Sequence, residues 1–312
     1  MRADRSPGDC STMLAMGLAT RPLADGFGVE VDGVDLGDLS DAQFGEIERT
    51  FFNRQVLVAR GQALTPAAFA GWAARFGPAE PHVIDQFHHP DDPNILILSN
   101  RRRDGQPVGL ADAGTYFHTD YSYLPVPARA TTLYSIEVPS RGGETLFANQ
   151  YAAYDDLPQS MKTRIDPLVA VHHYGNRDNE DERTRTVASV LTDAQKARMP
   201  LVTHPVVRTH PVTGRKALYA VSGSSYDIVG MPQDEARELL DELAAHATRP
   251  VYRLAVRYGV GDIVIWDNAS LLHSATLVDV DDPRTLWRIT IKERDSAASS
   301  RVLAQTFAHV GV

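Results

Sequence analysis

Short runs of β-branched and aromatic residues, separated by turn residues, dominate this 312-residue sequence from about residue 94 onward. Residues of these types favour strands, whereas Gly, Pro, Asn and Asp between them favour turns. The nine runs are NILILSN, ATTLYSIEV, ETLFAN, LVAVHHY, LVTHPVVRT, ALYAVS, VYRLAVRY, DIVIWDN and TLWRITIKE. So many short predicted strands favour a β-sandwich or a jelly roll.

Helical patterns precede and interrupt these strands. SDAQFGEIERTFF opens with a Ser or Asp cap, and TPAAFAGWAARFG begins with Thr-Pro and ends at Gly77. Two further helices are predicted, one at about Tyr151 to Ile165 and one at Pro232 to Ala247, which carries an apolar stripe. We therefore predict an α+β fold in which helices flank a β core.

Charge and cysteine content limit the classes of protein that this chain can be. A formal net charge of -9 argues against nucleic-acid binding, and the one dense basic run, Arg101 to Arg103, adjoins a turn and is predicted to be a solvated loop. Cys10 is the single cysteine, so no intramolecular disulfide can form. No apolar run approaches the ~20 residues that a membrane span needs. We predict a cytoplasmic protein without a nucleic-acid or membrane partner.

No Gly/Ser-rich or Pro-rich linker divides the chain. We predict one domain over residues 28–312, preceded by a flexible N-terminal leader over residues 1–27. The polar segment from Gly175 to Thr186 lacks periodicity and is predicted to be either a solvated loop or a mobile lid.

His118 and Asp120 are separated by one residue. In an extended segment, residues i and i+2 point to the same face, so one metal ion can contact both side chains. His273, which follows the predicted strand from Asp262 to Asn268, would complete a set of two histidines and one carboxylate. Such a set leaves three coordination positions open, as an iron that activates O2 requires.

Arg284 and Arg288 lie 11 and 15 residues beyond His273, immediately before and within the predicted strand TLWRITIKE. Their spacing of four places them on one face, ~13 Å apart, which is too far for both to bind one carboxylate. Two separate anion sites are therefore predicted. The alternation in this strand also fits an arginine face that is open to solvent, and this alternative stays open.

Two segments combine these features, FHTDYSYLPVPARATTLYSIEVPSRGGETLFAN and GDIVIWDNASLLHSATLVDVDDPRTLWRIT. They contain His-x-Asp, Gly-Gly-x-Thr, Trp-Asp-Asn, the distal His and the two Arg. Over most of residues 28–293 the chain resembles the TauD/TfdA family of Fe(II)/2-oxoglutarate dioxygenases. The resemblance implies a double-stranded β-helix, or jelly-roll, core. It also implies oxidation, usually hydroxylation, of a small anionic substrate with conversion of 2-oxoglutarate and O2 to succinate and CO2.

The resemblance implies roles for individual residues. His118, Asp120 and His273 are the predicted catalytic ligands of Fe(II). Thr145 and Arg284 are predicted to bind the far carboxylate of 2-oxoglutarate, since a hydroxyl and a planar guanidinium form charge-assisted hydrogen bonds with that group.

Further residues are predicted around the substrate. Arg288 is predicted to bind its anionic end, with His82 as a second anion contact. Tyr116 and Tyr121 either shape the apolar wall of the pocket or are ordinary strand aromatics. The Trp266–Asn268 turn is predicted to deliver His273, because Asx side chains bond to their own backbone.

Alternatives remain for the function. A Zn(II) hydrolase could use the same triad to activate water, without Thr145 or Arg284, and a non-catalytic jelly roll would need none of these residues. The substrate could be a sulfonate, an aryloxyalkanoate or an amino-acid-like carboxylate in specialised biosynthesis. HPVVRTHPVTGRKALY is similar to the aryloxyacetate branch but lies far along the chain from the predicted site. Relatives are commonly dimers or tetramers, so a homo-oligomer is predicted.

Overall fold

The computed structural model describes residues 18–24, 26–111, 114–173 and 201–293. The predicted loop or lid from Gly175 to Thr186 lies outside these ranges, as do residues 1–17 of the predicted leader. Within the predicted leader, Ala19–Pro22 forms a strand that pairs with Val29–Asp32. Paired structure therefore begins before residue 28.

The described residues form eighteen strands and five α-helices. The strands are β1 (Ala19–Pro22), β2 (Val29–Asp32), β3 (Val56–Ala59), β4 (His88–His89), β5 (Asp92–Ser99), β6 (Arg102–Arg103), β7 (Gln106–Pro107), β8 (Ala128–Glu137), β9 (Thr145–Asn149), β10 (Val169–His172), β11 (Val202–Pro205), β12 (Val207–Thr209), β13 (Lys216–Leu218), β14 (Ser225–Ile228), β15 (Arg253–Val256), β16 (Ile263–Asp267), β17 (Leu271–Ala275) and β18 (Thr285–Lys292). The α-helices are α1 (Asp41–Arg54), α2 (Pro66–Phe76), α3 (Gln150–Asp155), α4 (Gln159–Ile165) and α5 (Gln233–Ala247).

Two sheets enclose the central core. The large sheet has eight strands in the order β1-β2-β3-β16-β8-β18-β5-β4, and the small sheet has the order β15-β9-β17. Leu133 and Val264 of the large sheet share a buried cluster with Phe147 and Leu271 of the small sheet. Since apolar residues from both sheets fill the space between them, the arrangement is that of the predicted sandwich or jelly roll.

Helices α1 and α2 cover the outer face of the large sheet. Ser40 caps α1 in a capping box with Gln43, and Thr65 caps α2 with a proline in its first turn. Trp72 and Phe76 of α2 pack edge to face, with ring centroids 4.9 Å apart, in a cluster that includes Ile289 of β18. Both helices confirm the predictions from their capping signals.

The predicted single helix from Tyr151 to Ile165 is wrong. The chain forms α3 and α4 instead, with Pro158 as the extended residue before α4. Proline has no backbone N–H and disfavours helical geometry in the residue before it, so a continuous helix cannot pass this point. The second predicted helix agrees with α5, and none of the helices in the described ranges has the length and apolar character of a membrane span.

Candidate metal centre

His118 and His273 are brought together by direct backbone pairing. His118 N donates to His273 O over 2.9 Å, and His273 N donates to His118 O over 2.8 Å, so the segment at His118 extends the small sheet beside β17. Side chains of directly opposed residues lie on the same face of a sheet. The two imidazole centroids are accordingly 4.2 Å apart.

The carboxylate of Asp120 completes this cluster. Its Oδ1 lies 3.7 Å from His118 Nε2, and its Oδ2 lies 3.5 Å from His273 Nε2. One potential ligand atom from each of the three side chains lies within 4.8 Å of the other two. The three predicted ligands therefore converge on one point, as the spacing of His118 and Asp120 indicated.

Two donors hold the Asp120 carboxylate in place. Thr131 Oγ1 donates to Oδ2 over 2.6 Å, and Arg288 donates to Oδ1 over 2.5 Å. Asn268 supports this arrangement, since its Nδ2 donates to Thr131 Oγ1 over 2.9 Å. Thr131 was not predicted as a site residue because its contact with Asp120 depends on how the turn that carries Asp120 packs against β8, which leaves no local sequence signal.

The turn between β16 and β17 carries Asn268 and leads directly to His273. Asp267 Oδ1 accepts a hydrogen bond from Ala269 N over 3.0 Å, and Trp266 Nε1 donates to Asn268 Oδ1 over 3.1 Å. Asx side chains that bond to nearby groups fix a turn of this kind. The predicted role of Trp266–Asn268 in delivering His273 agrees with these contacts.

Hydrogen bonding and burial prepare the three side chains for a divalent metal. Tyr116 O accepts from His118 Nδ1 over 2.8 Å, which leaves the Nε2 lone pair of this ring facing the cluster. Burial lowers the pKa of His273 well below its usual value, so this ring is neutral. Burial opposes ionisation of Asp120, but the charge of Arg288 holds its pKa well below the usual range. Two imidazoles and one carboxylate match the facial donor set of non-haem iron.

A narrow cavity adjoins the cluster. Its lining includes Leu98, Gly114, His118, Leu133, Thr145, Trp266, His273, Ala275, Arg284 and Arg288. Arg284 and Arg288 are only 7% and 9% exposed, so the alternative of a solvent-facing arginine face is wrong. That face is interior because β18 lies between β8 and β5 and packs toward the small sheet.

Thr145 and Arg284 lie at the same cavity, on β9 and immediately before β18. Thr145 Oγ1 is 2.7 Å from the hydroxyl oxygen of Tyr258, a residue that sequence reasoning did not select. The charge of Arg284 also acts on the Tyr258 hydroxyl. The only sequence signal for Tyr258 was its place at the end of a predicted strand, because its relation to Thr145 depends on the pairing of β15 with β9.

His82 and Tyr121 lie together beside Arg288. Their ring centroids are 5.9 Å apart, and the Arg288 guanidinium carbon is 5.7 Å from the Tyr121 ring centre. Burial, together with the Arg288 charge, lowers the pKa of His82 to about 3. Because His82 Nδ1 accepts from Ile84 N over 3.1 Å, the proton of the neutral ring is on Nε2. Tyr116 instead covers His118 from the outside, with ring centroids 5.0 Å apart and 40% of the residue exposed.

Two glycines flank His118 and were also missed. A Cβ on Gly114 would lie 2.5 Å from His118 Cε1, and one on Gly223 would lie 2.8 Å from His118 Cβ. Both have positive φ angles, +72° and +88°, which side-chain-bearing residues rarely adopt. Their close approach restricts the ring of His118 from both ends.

The chain has a jelly-roll core, with two histidines and one carboxylate beside a cavity that contains buried arginines. These features define the class of metal-dependent oxygenases that take anionic cosubstrates. The model of the taurine catabolism dioxygenase TauD, TfdA family matches residues 19–290. The alpha-ketoglutarate-dependent 2,4-dichlorophenoxyacetate dioxygenase of Cupriavidus pinatubonensis is 34% identical over 286 residues, covering 88% of this chain and 98% of that relative. The chain therefore belongs to the TauD/TfdA family and is a 2-oxoglutarate-dependent dioxygenase.

Two more comparisons show the range of this family. Pentalenolactone F synthase of Streptomyces arenae is 32% identical over 277 residues, covering 86% of this chain and 92% of that relative. The crystal structure of AAD-2 in complex with Mn(II) and N-oxalylglycine has a TM-score of 0.74 at 30% identity, covering 90% of this chain and 99% of that chain. These findings confirm the predicted fold and enzyme class, and they favour the dioxygenase over the hydrolase and non-catalytic alternatives.

Proposed function

We propose that this enzyme uses Fe(II), 2-oxoglutarate and O2 to hydroxylate a small organic carboxylate. One observation carries the proposal: a single cavity is lined by His118 and His273 of the metal-binding triad and by two buried arginines, Arg284 and Arg288. Arg288 is already paired with the Asp120 carboxylate, and its planar guanidinium has further N–H donors that a second acceptor can use. Guanidinium donors suit carboxylate ligands, so two arginines at one metal site support two anionic ligands, a cosubstrate and a substrate.

His118, Asp120 and His273 would hold the iron, which when bound supplies O2 activation and the oxidative decarboxylation of 2-oxoglutarate to succinate and CO2. The hydrogen bonds from Thr131 and Arg288 orient the Asp120 carboxylate before a metal binds. With neutral imidazoles and one carboxylate, the ferrous site would carry a net positive charge. This charge favours binding of the 2-oxoglutarate dianion.

Thr145 and Arg284 would bind the far carboxylate of 2-oxoglutarate. The guanidinium supplies charge and planar donors, and the hydroxyl supplies one further donor. Leu98, Leu133 and Trp266 make the rest of this wall apolar, which excludes water from the reacting groups. The distance between the metal and Arg284 would therefore select a cosubstrate by its length.

Arg288 would bind the carboxylate of the substrate, with His82 as a second donor through its Nε2–H. Because Arg288 contacts the metal ligand Asp120 directly, its anion site adjoins the metal site. Tyr121 would form one wall of this subsite and Tyr116 would shield the side near His118. An aryloxyalkanoate is our first candidate, since the Cupriavidus relative is named for one; sulfonates and amino-acid-like carboxylates are the alternatives.

We also propose a cytoplasmic location, supported by the single cysteine, and a homo-oligomeric assembly. The proposed reaction does not depend on the location or on the assembly.

The experiment is a screen of aryloxyalkanoates, sulfonates and amino acids for substrate-stimulated succinate release with Fe(II) and O2. We expect His118→Ala to lower this rate by at least about 100-fold. His246→Ala is the matched control, because His246 bonds to Ala153 O away from the metal centre. Succinate release at the wild-type rate in His118→Ala would contradict the proposal. Substrate turnover that continued without O2 would favour the hydrolase.

A further inference from the structure

The hydroxyl groups of Thr145 and Tyr258 form a buried pair at the edge of the cavity. Their oxygens are 2.7 Å apart, and the residues are only 3% and 8% exposed. Thr145 lines the cavity, whereas Tyr258 is not part of the lining and belongs to the buried cluster that includes the cavity residues Leu98, Leu133 and Trp266. Tyr258 thus contacts the cavity through Thr145.

The sheet fixes this geometry. Val256 of β15 is paired with Thr145 of β9, and Tyr258 follows two residues later on the same stretch of chain. The charge of Arg284 acts on Tyr258, so the guanidinium and both hydroxyls lie in one neighbourhood. Tyr258 is therefore placed beside the pair of residues to which we assign the far carboxylate of 2-oxoglutarate.

The number of protons restricts how these groups can bond. Each hydroxyl has one proton to donate and can accept through its oxygen. If Thr145 donates its proton to a carboxylate in the cavity, its oxygen can only accept from Tyr258. Burial raises the pKa of Tyr258 to about 12, so this proton is present at neutral pH.

We propose that Tyr258 is a positioning residue for the cosubstrate: it donates to Thr145 and thereby turns the threonine proton toward the far carboxylate of 2-oxoglutarate. This inference rests on the proposed function of Thr145 and Arg284. Without the tyrosine hydroxyl, the threonine hydroxyl can rotate to other acceptors. Binding would then lose part of its discrimination for the carboxylate, while the metal ligands would remain unaffected.

The test measures binding of 2-oxoglutarate to the Mn(II)-loaded protein by calorimetry, where no turnover occurs. We expect Tyr258→Phe, which keeps the ring, to raise the Kd for 2-oxoglutarate about three- to tenfold. The comparison ligand is 2-oxopentanoate, which has a methyl group in place of the far carboxylate, and its Kd should not change. Tyr252→Phe is the matched control, because it removes another tyrosine hydroxyl whose partner is Asp156.

A double-mutant cycle separates positioning from direct binding or packing. In a Thr145→Val background, Tyr258→Phe should have no further effect on the Kd for 2-oxoglutarate. Equal weakening in both backgrounds, or equal weakening for both ligands, would overturn the inference. If the wild-type protein prefers 2-oxoglutarate over 2-oxopentanoate and Tyr258→Phe keeps the full preference, the inference about Tyr258 is overturned but the proposed carboxylate site is not. If the wild-type protein binds both ligands equally well, the proposed carboxylate site is overturned, and the inference about Tyr258 with it.

Discussion

The carboxylate of Asp120 receives one hydrogen bond on each oxygen, from a charged donor and from a neutral one. The neutral donor, Thr131, is itself held by Asn268. Loss of a group that orients a metal ligand in this way typically lowers metal affinity by roughly 10- to 100-fold. At the scale of single residues, we therefore expect Thr131 to be a determinant of metal binding that acts through Asp120.

Replacing Thr131 by valine keeps the shape of the side chain but removes the hydroxyl. We expect the affinity for Mn(II) or Fe(II) to fall by roughly 10- to 100-fold, because Asp120 loses an orienting donor and Asn268 Nδ2 loses its acceptor. Titration of the metal into the metal-free protein measures this effect directly.

Thr132→Val is the matched control for this prediction. Thr132 is the next residue on β8 and is equally buried, but its hydroxyl accepts from Trp72 Nε1 on the other face of the sheet. It should lose some stability while keeping the metal affinity of the wild type. Equal metal affinities for Thr131→Val and the wild type would show that the hydroxyl has no orienting role.

At the scale of elements, the turn between β16 and β17 is joined to the segment HPVVRTHPVTGRKALY. His210 Nδ1 accepts from Val212 N and Thr213 N over 3.1 and 3.0 Å, which places its proton on Nε2. Nε2 lies 3.1 Å from Asp267 Oδ2, and both side chains are buried. A segment that is distant along the sequence thus supports the turn that delivers His273.

Replacing His210 by phenylalanine leaves one oxygen of the buried Asp267 carboxylate without this donor. We expect the free energy of unfolding to fall by about 2–3 kcal/mol, with a weaker affinity for the metal because the turn before His273 loosens. His210→Gln, whose amide can reach the position of Nε2, should recover part of both losses. Urea unfolding and metal titration measure the two effects. A phenylalanine variant with wild-type values in both would contradict this account.

Local signals in the sequence predicted the elements better than the contacts between them. The capping residues Ser40 and Thr65 predicted α1 and α2, whereas Pro158 interrupts the single helix predicted from Tyr151 to Ile165. The alternation of Arg284 and Arg288 could not show which face was interior, because that depends on which sheet covers β18. His210 shows the same limit, since its partner Asp267 is 57 residues away along the chain.

At the scale of the whole molecule, titratable groups outside the metal-binding triad are also buried. His172 and His204 pack with ring centroids 5.2 Å apart, and His204 packs against Tyr219 at 5.5 Å. Burial lowers the pKa of His172 well below its usual value and that of His204 to about 4. Folding therefore keeps both histidines neutral at pH values where the unfolded chain protonates them.

This difference gives the stability of the molecule a pH dependence with a definite sign. Below pH about 6.5 the unfolded chain binds more protons than the folded one, so the free energy of unfolding falls as the pH falls toward the folded pKa values. From pH 7.5 to pH 5.5 each such histidine should contribute ~1.4 kcal/mol to the loss. Urea unfolding of the metal-free protein at the two pH values measures the total loss.

The variant His172→Phe isolates the contribution of one histidine to this fall in the free energy of unfolding. Neither ring nitrogen of His172 has a hydrogen-bond partner among the described residues, so phenylalanine should be at least as stable as histidine at pH 7.5. The loss between pH 7.5 and pH 5.5 should shrink by ~1.4 kcal/mol relative to the wild type. Tyr219→Phe, in the same cluster, removes no group that titrates in this range and should leave the loss unchanged. If His172→Phe kept the full wild-type loss, proton uptake by this histidine on unfolding would not be its cause.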